Sequence, residues 1–222
     1  MPLPRDHIFF GLGPKLTDKQ REYVDSIFDN QLTICNAKAG TGKTTLAVAA
    51  AKLLGKPLLY VFNPTEERRM GYRPGTQEEK ESSYIVPLTD ALLAINENPA
   101  QAIVGHPAQQ ANGKKPSPDQ AWVIAKSHVF ARGTNIRGMT VIVDECQNFT
   151  RSDLRKVLTR IHDDCTVILI GHIGQCDLVG SRSGFADYIE HFRKEPYAKV
   201  CELNVNFRGR LATHADTIDE NW

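Results

Sequence analysis

No C-x-x-C pair occurs among the five cysteines of this 222-residue chain, Cys35, Cys146, Cys165, Cys176 and Cys201. Their odd number and wide scatter argue against a disulfide framework or a zinc site. Several lie in apolar runs where a thiol acts as a small hydrophobe. Reduced thiols in turn make the cytoplasm the expected compartment. Long hydrophobic runs are lacking too: nothing reaches the roughly 18 apolar residues that span a bilayer. The opening MPLPRDHIFFGLGPKL has no extended apolar core of the kind a secretory leader carries. Neither membrane insertion nor secretion is therefore expected. Charge of one sign is also missing, since 27 Lys+Arg against 26 Asp+Glu leave a net charge of +1. No global field recruits nucleic acid; any such contact must come from local groups such as Arg68, Arg69 and Arg73, or Arg151, Arg155 and Lys156.

What the chain does have is 41% hydrophobic residues, enough at this length for one substantial core. The expectation is a single domain over 1–222. Its most informative stretch is LTICNAKAGTGKTTLAVAA (32–50), an apolar strand, a glycine-broken loop and an alanine-rich helix in succession. Gly40 and Gly42 permit backbone angles closed to other residues, so that the N–H groups along Ala39, Gly40, Thr41, Gly42, Lys43, Thr44 and Thr45 can wrap a polyphosphate. Lys43 would reach the β/γ-phosphates and Thr44 would place its hydroxyl on Mg²⁺, at the positive end of the helix. The complete pattern is G-x-x-x-x-G-K-S/T, and Ala37 stands where its first glycine belongs. A bare G-K-S/T arises by chance in about one chain in ten of this length. The strand–loop–helix setting, more than the tripeptide, carries the reading.

Along the chain, 17–28 reads as a first helix, with Thr17 as cap and Gln20 completing a T-x-x-Q capping box. Strands are expected at 32–35, 58–62, 122–125, 141–143, 167–170 and 199–203, and helices at 44–54, 88–95, 153–161 and 185–192. A polar helix from about Thr65, a turn at Pro74-Gly75 and an exposed acidic stretch at 78–81 lie between. Residues 96–120, with Pro99, Pro107, Pro116 and Pro118 among many Gln and Asn, read as a surface insertion. Strands that alternate with helices and are apolar throughout imply an α/β fold, a parallel sheet covered on both faces.

Two further pieces carry chemistry. VIVDECQN (141–148) is a buried strand ending in two carboxylates, and ligands of open α/β sheets bind at that end of the strands. Asp144 would hold Mg²⁺ through its water shell, and Glu145 would orient or deprotonate the attacking water. TVILIGHIGQCDL (166–178) brings His172 and Gln175 to the same edge, with Gln175 as a candidate γ-phosphate sensor or an exposed loop glutamine. Arg208 and Arg210, Arg182, and Arg132 and Arg137 are rival candidates for an arginine on phosphate, in cis or from a neighbouring subunit.

In this order the motifs resemble the PhoH family of P-loop ATPases, themselves similar to the motor core of superfamily 1 helicases. LTDKQREYVDSI (16–27) looks like the family's Q-motif helix, which implies that Gln20 recognises the adenine edge. AKAGTGKT (37–44) matches G-P-A-G-T-G-K-T, and GYRPGTQEEKESSYIVPLTDAL (71–92) resembles G-F-x-P-G-D-x-x-E-K-x-x-P-Y-x-x-P-L-x-D-A-L. FARGTNIRGMTVIVDECQN (130–148) is similar to R-G-R-T-x-x-x-x-x-x-I-L-D-E-A-Q-N, and GHIGQCDL (171–178) to G-D-x-x-Q-x-D-L. Three positions depart: Ala37, Asn63 in place of the arginine of T-R-P, and His172 in place of the acid of G-D-x-x-Q.

The resemblance implies a P-loop NTPase of single RecA-like domain type, ATP and Mg²⁺ as cofactors, and Lys43, Glu145, Gln175 and Arg208 as the catalytic set. It further implies RNA or single-stranded DNA as partner, a homo-oligomeric ring such as a hexamer, and a diverged member such as a phage-encoded one acting in the host cytoplasm. A motor needs two such domains or a ring, and the motifs account for one. Two other functions stay open from the sequence: an ATP-dependent switch with weak catalysis, and an RNA-processing ATPase associated with ribonuclease activity. His106, His128 and His162 are too dispersed to argue for a nuclease centre. A small-molecule kinase is a weaker option, since no acceptor lid can be identified.

Overall fold

A computed structural model describes residues 15–64, 83–106, 109, 120–131, 134–176, 178 and 182–215. Thr17 lies extended, its hydroxyl accepting from the Gln20 N–H while the Gln20 side chain accepts from the Thr17 N–H, so the capping box forms as expected. Helix α1 (Asp18–Asp29) follows and turns Tyr23, Val24 and Ile27 into the core. β1 (Leu32–Ala37) runs two residues further than its apolar stretch, directly into the glycine loop. α2 (Lys43–Leu54) leaves that loop and stops at Gly55, whose φ of 68° glycine adopts without the steric cost of a Cβ. Ala47, Ala49, Ala50 and Ala51 of α2 are wholly buried, and their small side chains let the helix lie close on the strands.

The remaining elements are β2 (Leu58–Phe62), α3 (Val86–Ala94), α4 (Pro99–Ala102), β3 (Val123–Ser127) and β4 (Thr140–Val143). After them come α5 (Arg151–Leu158), β5 (Thr166–Gly171), α6 (Phe185–Phe192), β6 (Ala198–Leu203) and α7 (Arg210–Ala215). The six described strands form one sheet in the order β3-β2-β4-β5-β1-β6, every described pairing parallel. The chain passes from β1 over two positions to β2, and β4 and β5 later fill the gap. Register aligns the strand ends: Val143 pairs with Leu169, and Asn36 with Gly171. The loops that leave β1, β4 and β5 therefore emerge side by side.

Alternation along each strand divides the core into two layers, because successive side chains point to opposite faces. Cys35, Tyr60, Ile142, Ile168 and Cys201 pack with α1, α2 and α3 in one layer. Ile34, Val61, Val143 and Leu169 pack with Leu154 and Val157 of α5 and Phe185 and Ile189 of α6 in the other. The expected parallel sheet covered on both faces is thus observed, in a single α/β domain.

Four expectations change. The start of the supposed insertion at 96–120 is packed, not a loose surface loop: Ala102 is 1% and Ile103 3% exposed, and Ile103 bridges in parallel to Val123. Glu97 anchors the same stretch, 3.1 Å from the Lys52 ammonium, while accepting the Trp122 indole N–H at 3.3 Å. Composition hid this, because the few apolar side chains that do the packing sit among Gln, Asn and Pro. The strand expected at 122–125 is displaced to Val123–Ser127, the helix expected at 153–161 lies at Arg151–Leu158, and α7 adds a helix the pattern did not announce. The polar helix from Thr65, the turn at 74–75, the acidic stretch at 78–81, Arg68, Arg69, Arg73, Arg132 and nearly all of 107–119 lie outside the described residues.

Ile103→Ala should cost about 2–5 kcal/mol in urea unfolding, as a buried truncation does. Val104→Ala, at a residue 52% exposed, should stay within about 0.5 kcal/mol of the parent. Equal small effects would return the segment to the surface.

Candidate functional site: the carboxyl edge of β1, β4 and β5

The loop between β1 and α2 is shaped from outside by its carbonyls. Lys38 O accepts the Thr41 hydroxyl at 3.0 Å, Gly40 O the Phe207 N–H at 2.8 Å, Thr41 O the Gln20 side-chain amide at 3.0 Å, and Lys43 O the Tyr23 hydroxyl at 3.3 Å. In a planar trans peptide the C=O and the following N–H point in opposite directions. The N–H groups of Ala39, Thr41, Gly42 and Thr44 are thereby turned away from those partners, as a polyphosphate cradle requires.

Gly40 and Gly42 take φ of 74° and 79°. A Cβ on Gly40 would also lie 2.6 Å from Asn206 Oδ1 and 2.9 Å from Arg208 Cγ, so glycine is required there twice over. Ala37, by contrast, is the last residue of β1, 1% exposed and in register with Leu203, and it is not among the positive-φ residues. The absent first glycine is accommodated because the chain is still strand at that point.

Opposite the loop, Asp144 follows β4 and is 1% exposed. One carboxylate oxygen accepts the Thr44 hydroxyl at 3.0 Å and the Tyr60 hydroxyl at 2.8 Å; the other accepts the Glu145 N–H at 2.9 Å. Burial raises its pKa above the ordinary carboxylate value, the neighbouring Glu145 charge adds to that, and Lys43 and the Tyr60 hydrogen bond oppose it. Glu145 takes a left-handed backbone, φ 53° and ψ 43°, which carries its carboxylate to 3.8 Å from the Lys43 ammonium. Such a conformation in a non-glycine residue is strained and concentrates at functional sites.

Sequence reasoning missed two members. Tyr60, from the middle of β2, read only as core. Gln147 is 3% exposed; its amide nitrogen donates to the Glu145 carboxylate and its amide oxygen accepts the His172 N–H at 3.1 Å. A Cβ on Gly171 would come within 2.9 Å of that amide oxygen, so the glycine ending β5 makes room for the link. Its position one turn past an acidic pair was the available signal. Gln175, the expected sensor, stands exposed on the loop after β5, with its N–H donating to His172 O at 3.2 Å. The substituted His172 takes part through its main chain, while Asn63 donates its side-chain amide to Asn148 O and ties the end of β2 to the turn after β4.

The structure sorts the arginines. Arg208 lays its aliphatic stem on Gly40, beside the loop in the same chain. Arg182 pairs with Asp187 at 3.2 Å, sharing it with Arg151 at 2.8 Å. Arg137 precedes the amino end of β4 near Asp164, at the opposite end of the strands from the loop, which removes it as a rival within the same chain. Arg210 begins α7, exposed, and Arg132 is outside the described residues. His128 stands 3.8 Å from Asp153 after β3, whereas His162 precedes β5 at the far end of the strands, so the histidines do not converge.

Among the described residues no group of three or more His, Cys, Asp and Glu could hold a metal by itself. The facing oxygens of Thr44 and Asp144 fit a hard cation that keeps waters and takes its other ligands from phosphate, as Mg²⁺ does. No described helix is long and apolar enough to cross a membrane.

The family described as PhoH-like protein matches residues 14–215. The chain is 31% identical over 207 residues to the PhoH-like protein of Mycobacterium leprae (strain TN), covering 89% of this chain and 55% of that protein. It is 30% identical over 200 residues to Protein PhoH2 of Bacillus subtilis (strain 168), covering 83% and 42%. The chain thus spans about half the length of the curated relatives it matches. Among solved structures, the large terminase from the thermophilic bacteriophage D6E aligns with a TM-score of 0.52 at 12% identity, over 92% of this chain and 48% of that one, a likeness of fold alone.

The buried carboxylate makes a thermodynamic prediction. Because the folded-state pKa of Asp144 is raised, the native state holds the proton more tightly than the unfolded chain. Its contribution therefore favours folding in acid and turns unfavourable as pH rises through the unfolded and then the folded pKa. Asp144→Asn should raise the thermal midpoint at neutral pH in metal-free buffer, with the gain shrinking as pH is lowered through the same range. A midpoint lowered at every pH would contradict it.

Proposed function

This chain belongs to the PhoH-like protein family, and we propose that it binds ATP and hydrolyses it with Mg²⁺. The observation that carries the reading is the meeting of Thr44 with Asp144 at 3.0 Å and of Lys43 with Glu145 at 3.8 Å, across residues far apart in the chain. The loop N–H groups from Ala39 to Thr45 hold the phosphates, and Lys43 neutralises their charge. Thr44 and Asp144 would hold the metal, which would supply neutralisation of phosphate charge there. Glu145 accepts the proton of the attacking water, with Gln147 fixing its carboxylate. Triphosphate binding replaces Glu145 as the partner of Lys43 and so frees that carboxylate for the water. Arg208 reaches phosphate in cis, and Gln175 senses the γ-phosphate from the loop after β5.

His172 leaves the connection from Glu145 to that loop in place, because Gln147 reaches it through the main-chain N–H. This supports turnover over a nucleotide switch. Coupling to RNA or single-stranded DNA, and assembly into a homo-oligomeric ring, rest on the family resemblance.

Lys43→Ala should abolish steady-state ATP hydrolysis and weaken nucleotide binding. Glu145→Gln should lower kcat about 10²–10⁴-fold with binding retained; undiminished turnover in Glu145→Gln would sink the assigned base. Turnover measured with and without single-stranded RNA and DNA should rise with one polymer. ATP binding without turnover would select the switch, and a strict monomer in light scattering with and without ATP would remove the ring.

A further inference from the structure

Tyr60 stands in the middle of β2, 1% exposed and in register with Ile142 of β4. Asp144 lies two residues beyond Ile142, on the same face of the pleat. β2 holds it twice: Val61 O accepts the Asp144 N–H at 3.0 Å, and the Tyr60 hydroxyl donates to Asp144 Oδ2 at 2.8 Å. Burial and the Asp144 charge push the Tyr60 phenol well above its ordinary pKa, so it keeps the proton it donates. Thr44 donates its hydroxyl to the same Oδ2 at 3.0 Å, and the Glu145 N–H goes to Oδ1 at 2.9 Å. Each carboxylate oxygen carries two lone pairs. Oδ2 is therefore filled by Tyr60 and Thr44, whereas Oδ1 keeps one lone pair beyond these contacts. Thr44, having given its one hydroxyl proton to Asp144, keeps its oxygen lone pairs too.

We infer that Tyr60 is a positioning residue for the metal: its hydroxyl fills Oδ2 and fixes the plane of the carboxylate, leaving Oδ1 and Thr44 Oγ1 available to a cation or its waters. A phenylalanine would fill the same place in the core, so packing alone does not call for the hydroxyl, and a buried hydroxyl is costly without a partner. Carboxylates that serve a metal depend on such donors, whose loss costs about 10–100-fold in metal affinity. The inference rests on the site being one for nucleotide and Mg²⁺, as proposed above.

The test is equilibrium binding of a non-hydrolysable ATP analogue to the 222-residue chain, to Tyr60→Phe, to Asp144→Asn and to the double variant, each in EDTA and in excess Mg²⁺. In EDTA, Tyr60→Phe should bind as the parent does. Its gain in affinity on adding Mg²⁺ should fall about tenfold or more. In the Asp144→Asn background, where that gain is already reduced, Tyr60→Phe should change nothing further. An undiminished gain in Tyr60→Phe, or an equal loss with and without Mg²⁺, would overturn the inference. Losses that add in the double variant would do the same, since Tyr60 would then act apart from Asp144. A parent chain that binds the analogue with no gain from Mg²⁺ removes the metal site, and the inference with it, while leaving the nucleotide site. One that binds no analogue in either buffer removes the nucleotide site itself. Should Tyr60→Phe fail to fold, Tyr60→Met, whose flexible thioether adapts to the same space, decides by the same comparison.

Discussion

The site depends on where the carbonyls of one short turn are held. Four of them, from Lys38 to Lys43, are bonded to groups supplied by the loop itself, by α1 and by the segment after β6. Peptide planarity then directs the intervening N–H groups to the other side. Glycine at 40 and 42 makes the turn possible, but glycine alone would leave it one conformation among many. The surrounding bonds select that conformation, and they come from residues at both ends of the chain.

The sheet order supplies the second half of the arrangement. Crossing from β1 over two positions to β2 leaves room for β5 and then β4 beside the loop strand. The turn after β4 therefore faces Thr44, and the turn after β5 faces Gln147. A desolvated carboxylate with a raised pKa and a left-handed glutamate both cost stability. The two apolar layers that sandwich the sheet offset that cost, with Ile34, Ile142, Ile168 and Leu169 wholly buried at their centre. Strain at the edge is tolerated because the interior is packed so completely.

Local signals carried much of the fold. Thr17 and Gln20 announced a capping box, Gly55 a helix stop, and uniformly apolar strands a sheet covered on both faces. Each depends on residues a few positions apart, so reading in one dimension suffices. The segment at 97–104 was misread because its packing is made by Ile103, Ala102 and Glu97 against strands and helices remote in sequence. The candidate arginines could not be ranked for the same reason: five looked alike until the fold placed Arg208 on the loop, Arg182 on Asp187 and Arg137 at the far end of the strands.

By itself the sequence determined that there would be a phosphate-type loop after a strand, a carboxylate pair at the end of another, and helices between, because glycine conformations, apolar runs and caps are local chemistry. Only the tertiary structure decided how those pieces meet. It turned Tyr60 from a core residue into the partner of Asp144 and put Gln147 between Glu145 and His172. It also joined the Gln20 side chain to the phosphate loop. Hydrogen bonds extend about 3 Å, and no spacing along a chain reveals which groups folding will bring that close.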